Sequence, residues 1–241
     1  MFDSSMPKFF GRRKGRVIRK AKSFLLEHFL KKVRVDEKTK FDKNTMFGEP
    51  VKEVHLEIGF GDGAHLAGLS LKKKNIGFIG IEVFQNGVAN LLTLMTGVKD
   101  AAATQGDIKI LAERADNVRI YDDDARLLFK AIPDNFIDKI YLLFPDPWPK
   151  KRHAERRFIN PENLKELARI LKKGGILQIA TDHAIYKRHV LRVMHECKDF
   201  QWTAKTFEDW RKEPEDWVQT KYQQKAIKEG RKPVFFEYQR I

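Results

Sequence analysis

A carboxylate, an indole and an ammonium group follow one another within the stretch Phe144-Pro145-Asp146-Pro147-Trp148-Pro149-Lys150. Pro145, Pro147 and Pro149 lack an N–H and fix φ, so neither helix nor central strand can form there. Proline also disfavours the helical region for the residue before it, which predicts stiff, extended geometry at Phe144, Asp146 and Trp148. The apolar run at residues 140–144 reads as a buried strand, so this loop sits at a strand's carboxyl end. Asp146 can accept hydrogen bonds there, and Lys150 brings positive charge. Trp148 can offer a stacking face or pack beneath the loop; packing is the expectation. The combination suits a planar, polar ligand.

Acids recur at equivalent places. Strands are predicted at residues 54–58, 77–82, 117–121, 137–144 and 176–181, and each ends at or near an acid: Glu57, Glu82, Asp124, Asp146 and Asp182. In an open α/β sheet ligands bind outside the carboxyl ends of the strands. A rim of five carboxylates there favours a ligand with positive charge and several hydroxyl and amino donors. Gly59, Gly61 and Gly63 follow the first strand and allow backbone to approach a ligand closely. Nicotinamide enzymes use a related loop with an acid on the ribose, a place Glu82 would fit, so the loop alone decides nothing. Two details lean away from them: the spacing is G-x-G-x-G, and Glu57 lies where a pyrophosphate would be repelled. Both point to S-adenosylmethionine, a sulfonium with an amino-acid tail.

The elements that position these groups alternate. Helices follow the first three strands, through residues 64–71, then Val88, Leu91, Leu92 and Met95, then Leu127, Leu128 and Ile132. The next is punctuated by Asn160 as cap, Pro161 in its first turn, and Gly174-Gly175 as its end. Leu164, Leu167, Ala168 and Leu171 form its apolar face. Alternation of this kind predicts an α/β fold with a doubly wound, mostly parallel sheet.

Lys+Arg 47 against Asp+Glu 33 leaves a net charge of +14 over 241 residues, which points to a nucleic-acid partner. The charge is concentrated in residues 8–22, where Gly11 and Gly15 oppose a continuous helix and a helical pattern begins near Ile18. Residues 1–50 are therefore read as a basic arm and helix for phosphate contact, and 51–241 as the catalytic domain. His153 lies among Lys150, Lys151, Arg152, Arg156 and Arg157, a setting for phosphate contact. His55, His65, His183 and His195 have no ligand-like spacing, and no metal is expected. Cys197, the one cysteine, rules out an internal disulfide and reads as a small core residue of a helix. No segment has the length of a membrane span or the apolar region of a secretory signal, so a cytoplasmic protein is expected.

The proline loop and its continuation, FPDPWPKKRH at residues 144–153 with Arg156-Arg157-Phe158, closely resemble the signature of bacterial tRNA (guanine-N7)-methyltransferases of the TrmB type. LEIGFGDG at 56–63, GIEV at 80–83 and ATDH at 180–183 agree, and the likeness covers residues 51–241. Gly11-Arg12-Arg13-Lys14-Gly15-Arg16 is similar to the N-terminus of some members. The resemblance implies a class I, Rossmann-like methyltransferase that moves a methyl group from S-adenosylmethionine to N7 of the variable-loop guanosine at tRNA position 46. By the same resemblance, Glu57, Gly59, Gly61, Gly63, Glu82, Asp124 and Asp146 would line the cofactor site, with Asp146 also catalytic. Lys150, Asp182 and the segment Thr220-Lys221-Tyr222-Gln223 would contact substrate, although the family usually has glutamate where Gln223 stands. Monomer and homodimer both remain open. The rival readings are an amino-methyltransferase acting, for example, on adenine N6, and a non-catalytic RNA-binding protein of the same fold.

Overall fold

The computed structural model describes residues 9–98 and 115–241; Lys8, at the start of the basic stretch, lies outside them. Five strands run parallel: β1 (Glu53–Ile58), β2 (Ile76–Ile81), β3 (Val118–Tyr121), β4 (Ile137–Leu143) and β5 (Leu171–Thr181). Two further strands, β6 (Phe200–Trp202) and β7 (Val234–Arg240), extend one edge in antiparallel fashion. The sheet order is β3-β2-β1-β4-β5-β7-β6, so the winding reverses between β1 and β4. Beyond the carboxyl ends of those two strands lies the crevice where such sheets bind ligands. β2, Ile-Gly-Phe-Ile-Gly-Ile, is buried at every position, as an interior parallel strand covered on both faces must be.

Each face of the sheet has its own core. On one, Leu56, Ile79, Ile140 and Ile179 pack with α4 (Ala125–Phe129), α5 (Pro161–Ile170) and α6 (Ala184–Glu196). On the other, Phe78, Ile120, Tyr141 and Leu143 pack with α2 (Ala64–Lys72), α3 (Gln85–Thr96) and a helix, α1, over residues 20–33 that has a π-helical turn at Leu25–Phe29. The last helix, α7 (Lys221–Lys228), stands beside the carboxyl ends of the strands. Among the described residues no helix is long and apolar enough to cross a membrane.

Leu25, Phe29, Leu30 and Val33 of α1 and Phe41, Met46 and Phe47 beyond it are core residues. Two expectations are corrected. The helix opened by Asn160 ends at Ile170 rather than at Gly174-Gly175. Leu171 is already extended and pairs with Ile137, and the glycines form a bulge inside β5, with Gly174 at φ 79°. A Cβ on Gly175 would stand 2.8 Å from the Lys172 carbonyl, so close backbone approach, not helix termination, explains that glycine. Cys197 lies one residue past α6 and is half-buried.

Candidate active site

A cleft of about 680 Å³ opens at the switch point, lined among others by Gly59, Gly61, Glu82, Asp124, Asp146 and Tyr222. Its floor is the turn from β1 into α2. Gly59, Gly61 and Gly63 all have positive φ, at 68°, 59° and 76°. Gly63 begins α2 against α3, where a Cβ would come within 2.6 Å of Leu91 Cβ. From the other side Gly87 presses on the loop so tightly that a Cβ there would stand 2.1 Å from the Gly61 carbonyl oxygen. Close packing of backbone on backbone fixes the loop's shape.

Glu82 locks the loop to β2. Its carboxylate accepts the Gly61 N–H at 2.7 Å and the Phe84 N–H at 2.9 Å, one on each oxygen. Burial pushes its pKa up, an effect that these backbone donors oppose. Each oxygen keeps acceptor capacity for a ligand hydroxyl. Asp124 caps α4 by accepting the Arg126 N–H at 3.0 Å, and the Arg126 guanidinium grips the same carboxylate, with 2.6 Å to Oδ2. Glu57 is placed differently from expectation: it is 2% exposed, behind the loop, with its carboxylate 3.0 Å from His65 Nδ1. It is not among the cleft-lining groups.

The proline loop forms the opposite wall, with Asp146 exposed on it. Phe144 and Trp148 are not extended; both have positive φ, 51° and 40°. With φ fixed at the three prolines, the reversal of the chain falls on Phe144 and Trp148, each directly before a proline. Such conformations cost roughly 1–3 kcal/mol each and persist only where the surroundings hold them. The holding groups are visible. Phe144 N–H donates to the Ala180 carbonyl at 2.8 Å. Arg157, 7% exposed, donates to the Pro147 carbonyl at 3.1 Å and the Trp148 carbonyl at 3.0 Å. A third guanidinium nitrogen lies 3.3 Å from His189 Nδ1, while His189 Nε2 is 2.6 Å from the Ile159 carbonyl. Because Nε2 must donate to that carbonyl, Nδ1 is the acceptor for Arg157. Burial lowers the His189 pKa, favouring this neutral form. Arg157, expected on phosphate, is thus an internal clamp. Nothing in the basic run of residues 150–157 separates it from its exposed neighbours.

Trp148 joins the lining and is half-buried, with the Arg156 guanidinium 5.1 Å from its ring centroid. Lys150 is exposed at the foot of the 3₁₀ turn Lys151–Arg156, outside the lining. Asp182 is ion-paired with Arg231 at a second cavity of about 560 Å³. The segment 220–223 divides. Thr220 caps α7, Lys221 reaches Asp62 at 3.1 Å, and Tyr222, 59% exposed, lies over Gly61 in the cleft. Gln223 turns inward, 1% exposed, accepting from Trp217 Nε1 at 2.6 Å and donating to Glu213 at 2.6 Å. The amide uses the donor that a glutamate would lack. Gln223→Glu should therefore set two carboxylates together and lower stability by about 1–3 kcal/mol. Denaturant unfolding checks this, and adding Glu213→Gln should restore the loss.

Among the described residues no group of His, Cys, Asp and Glu could hold a metal ion. The residues present do fit S-adenosylmethionine. Gly59 leaves open space where a Cβ would stand, Glu82 retains acceptor capacity, and Glu82, Asp124 and Asp146 supply negative charge for a sulfonium. The fold agrees. A 16S rRNA methyltransferase, KamB, superposes with a TM-score of 0.53 over 79% of this chain and 88% of its own, at 13% identity. A variant of the 16S rRNA (adenine(1408)-N(1))-methyltransferase from Catenulisporales acidiphilia, solved with S-adenosylmethionine, gives 0.53 over 79% and 87%, at 11% identity. The fold is thus the one these methyltransferases share. A family model described as "Putative methyltransferase" matches residues 51–236. The tRNA (guanine-N(7)-)-methyltransferase of Chelativorans sp. (strain BNC1) is 38% identical across 99% of this chain and 97% of its own. That of Paramagnetospirillum magneticum is 41% identical across 97% and 93%, and that of Rhizobium meliloti 40% across 96% and 94%. The chain belongs to the tRNA (guanine-N7)-methyltransferase family.

Proposed function

We propose that this protein methylates N7 of the variable-loop guanosine of tRNA, position 46, using S-adenosylmethionine. The observation that carries the reading is the exposed Asp146 carboxylate, held by the Arg157 clamp across the cleft from the glycine loop. Relatives named for this reaction, similar over nearly the whole chain, support it.

When bound, S-adenosylmethionine supplies an electrophilic methyl group on a sulfonium. Glu82 is the group for its ribose hydroxyls, and the backbone at Gly59 and Gly61 accommodates its amino-acid end. Asp124, fixed by Arg126, bounds the adenine side. Guanine N7 already carries an exposed lone pair, so no side chain need remove a proton to create the nucleophile. The residues' work is alignment, which can supply much of a rate enhancement. Asp146 accepts hydrogen bonds from guanine N1–H and the exocyclic amine, selecting guanine over adenine. It also stabilises the positive charge that grows on the purine. Tyr222 offers a face for the base. Its pKa is raised by burial, with Asp146, Glu82 and Asp62 adding to the shift, so the phenol stays neutral. Lys150 and the exposed cations of residues 151–156 face the phosphates. The reading places the reaction in the cytoplasm, carried out by a monomer or homodimer.

The reading is tested with two tRNA transcripts that differ only in the variable loop, one carrying guanosine and the other adenosine at position 46. Labelled methyl should enter the first and not the second. Equal incorporation into both would move the target elsewhere.

A further inference from the structure

The N-terminal segment does more than present positive charge. Phe9, Phe10, Gly11 and Arg12 line the same cleft as Gly59, Glu82 and Asp146. The chain is then tied down on the far side by bonds of definite geometry. The Arg13 guanidinium meets Asp123 at 2.8 Å, and the Arg13 carbonyl accepts the Gln85 N–H at 3.0 Å. Asn86 holds the segment from both directions: its Oδ1 accepts the Gly15 N–H at 2.9 Å, and its amide donates to the Arg16 carbonyl at 2.8 Å. Gly15 sits so close to Phe84 that a Cβ would stand 2.6 Å from the ring. At the near side the Arg156 guanidinium lies between two rings, 4.4 Å from the centroid of Phe10 and 5.1 Å from that of Trp148.

These contacts span the cleft. Gln85 and Asn86 follow Glu82, the ribose side, and Asp123 adjoins Asp124, the adenine side, whereas Trp148 belongs to the proline loop on the opposite wall. A segment that only tracked phosphates would have no need of paired main-chain bonds to α3 or of ring contacts with the proline loop. We infer that residues 9–16 form a strap that closes the S-adenosylmethionine cleft and retains the cofactor, independently of RNA. The inference rests on the cleft being the cofactor site.

The test uses full-length protein without RNA. S-adenosylmethionine affinity is measured by calorimetry, and its release by stopped-flow displacement, for wild type, Asn86→Ala and Phe10→Ala/Asn86→Ala. Asn86→Ala removes the two bonds that Asn86 makes to the strap and leaves the cores intact, which keeps the test informative should the double variant fold poorly. The double variant should bind about tenfold more weakly, through faster release, and Asn86→Ala should lie between it and wild type. Affinity within twofold of wild type in both variants overturns the inference, including the case where only tRNA binding falls. Wild type that binds no S-adenosylmethionine would instead overturn the reading of the cleft itself.

Discussion

Asp146→Ala should reduce kcat for methyl transfer about a thousandfold, the scale on which a single preorganised electrostatic contact at a reacting centre acts. Its carboxylate is exposed on a loop shaped by prolines and by Arg157, not by Asp146 itself. The unliganded protein should therefore melt at the wild-type temperature. Asp146→Asn separates the two jobs assigned to the carboxylate. An amide keeps one acceptor oxygen but loses the charge and the second acceptor, so turnover should stay low and discrimination between guanine and adenine should weaken. Single-turnover assays on both variants, with a thermal melt alongside, decide the matter. Near-normal turnover in Asp146→Ala would remove the residue from the chemistry.

The second large effect is expected at Arg157, whose three guanidinium nitrogens are engaged within the protein. Arg157→Met deletes the donors to the Pro147 and Trp148 carbonyls and the partner of His189. Hydrogen bonds from a charged group contribute about 1.5–3 kcal/mol each, and the carbonyls lose their partners where water reaches poorly, so stability should fall by about 2–4 kcal/mol. With the left-handed turn at Trp148 no longer held, and only the Phe144–Ala180 bond left to fix the loop, Asp146 drifts. A displacement near 1 Å at a reacting centre costs on the order of a hundredfold, and kcat should fall accordingly. Arg157→Lys keeps the charge but cannot reproduce a planar fork that reaches two carbonyls and an imidazole, so it should rescue little. Urea unfolding and kcat measured on the same preparations test both halves. Wild-type kcat in Arg157→Met would show that the loop holds its own shape.

What the sequence revealed and what it hid follow from the range of the interactions. Local rules were enough for the five parallel strands, for Asn160 and Pro161 at the start of α5, and for the glycine turn, because strand patterning, capping and positive φ act within a few residues. β6 and β7 were not read, although Phe236 and Tyr238 alternate inward, because their pairing is with distant β5 and with each other. The proline loop was located correctly but its shape was not. Proline rules describe each preceding residue separately, while the reversal is decided by Arg157 and Ala180 from other elements. Glu57 and Gln223 carried the right chemistry for a ligand but face His65 and Glu213, partners 8 and 10 residues away in sequence whose orientation no spacing rule supplies. The arm is the sharpest case. Its charge was legible and suggested phosphate, but its contacts with Asn86, Asp123 and Arg156 come from three separate elements.

The central claim is the atom that receives the methyl group. An unmodified tRNA transcript is incubated with the protein and labelled S-adenosylmethionine, then treated with borohydride and aniline, which cut the chain at N7-methylguanosine. The account predicts one cut, in the variable loop, with label incorporation matching the cut fraction. Label incorporated without cleavage would place the methyl group on another atom and contradict it.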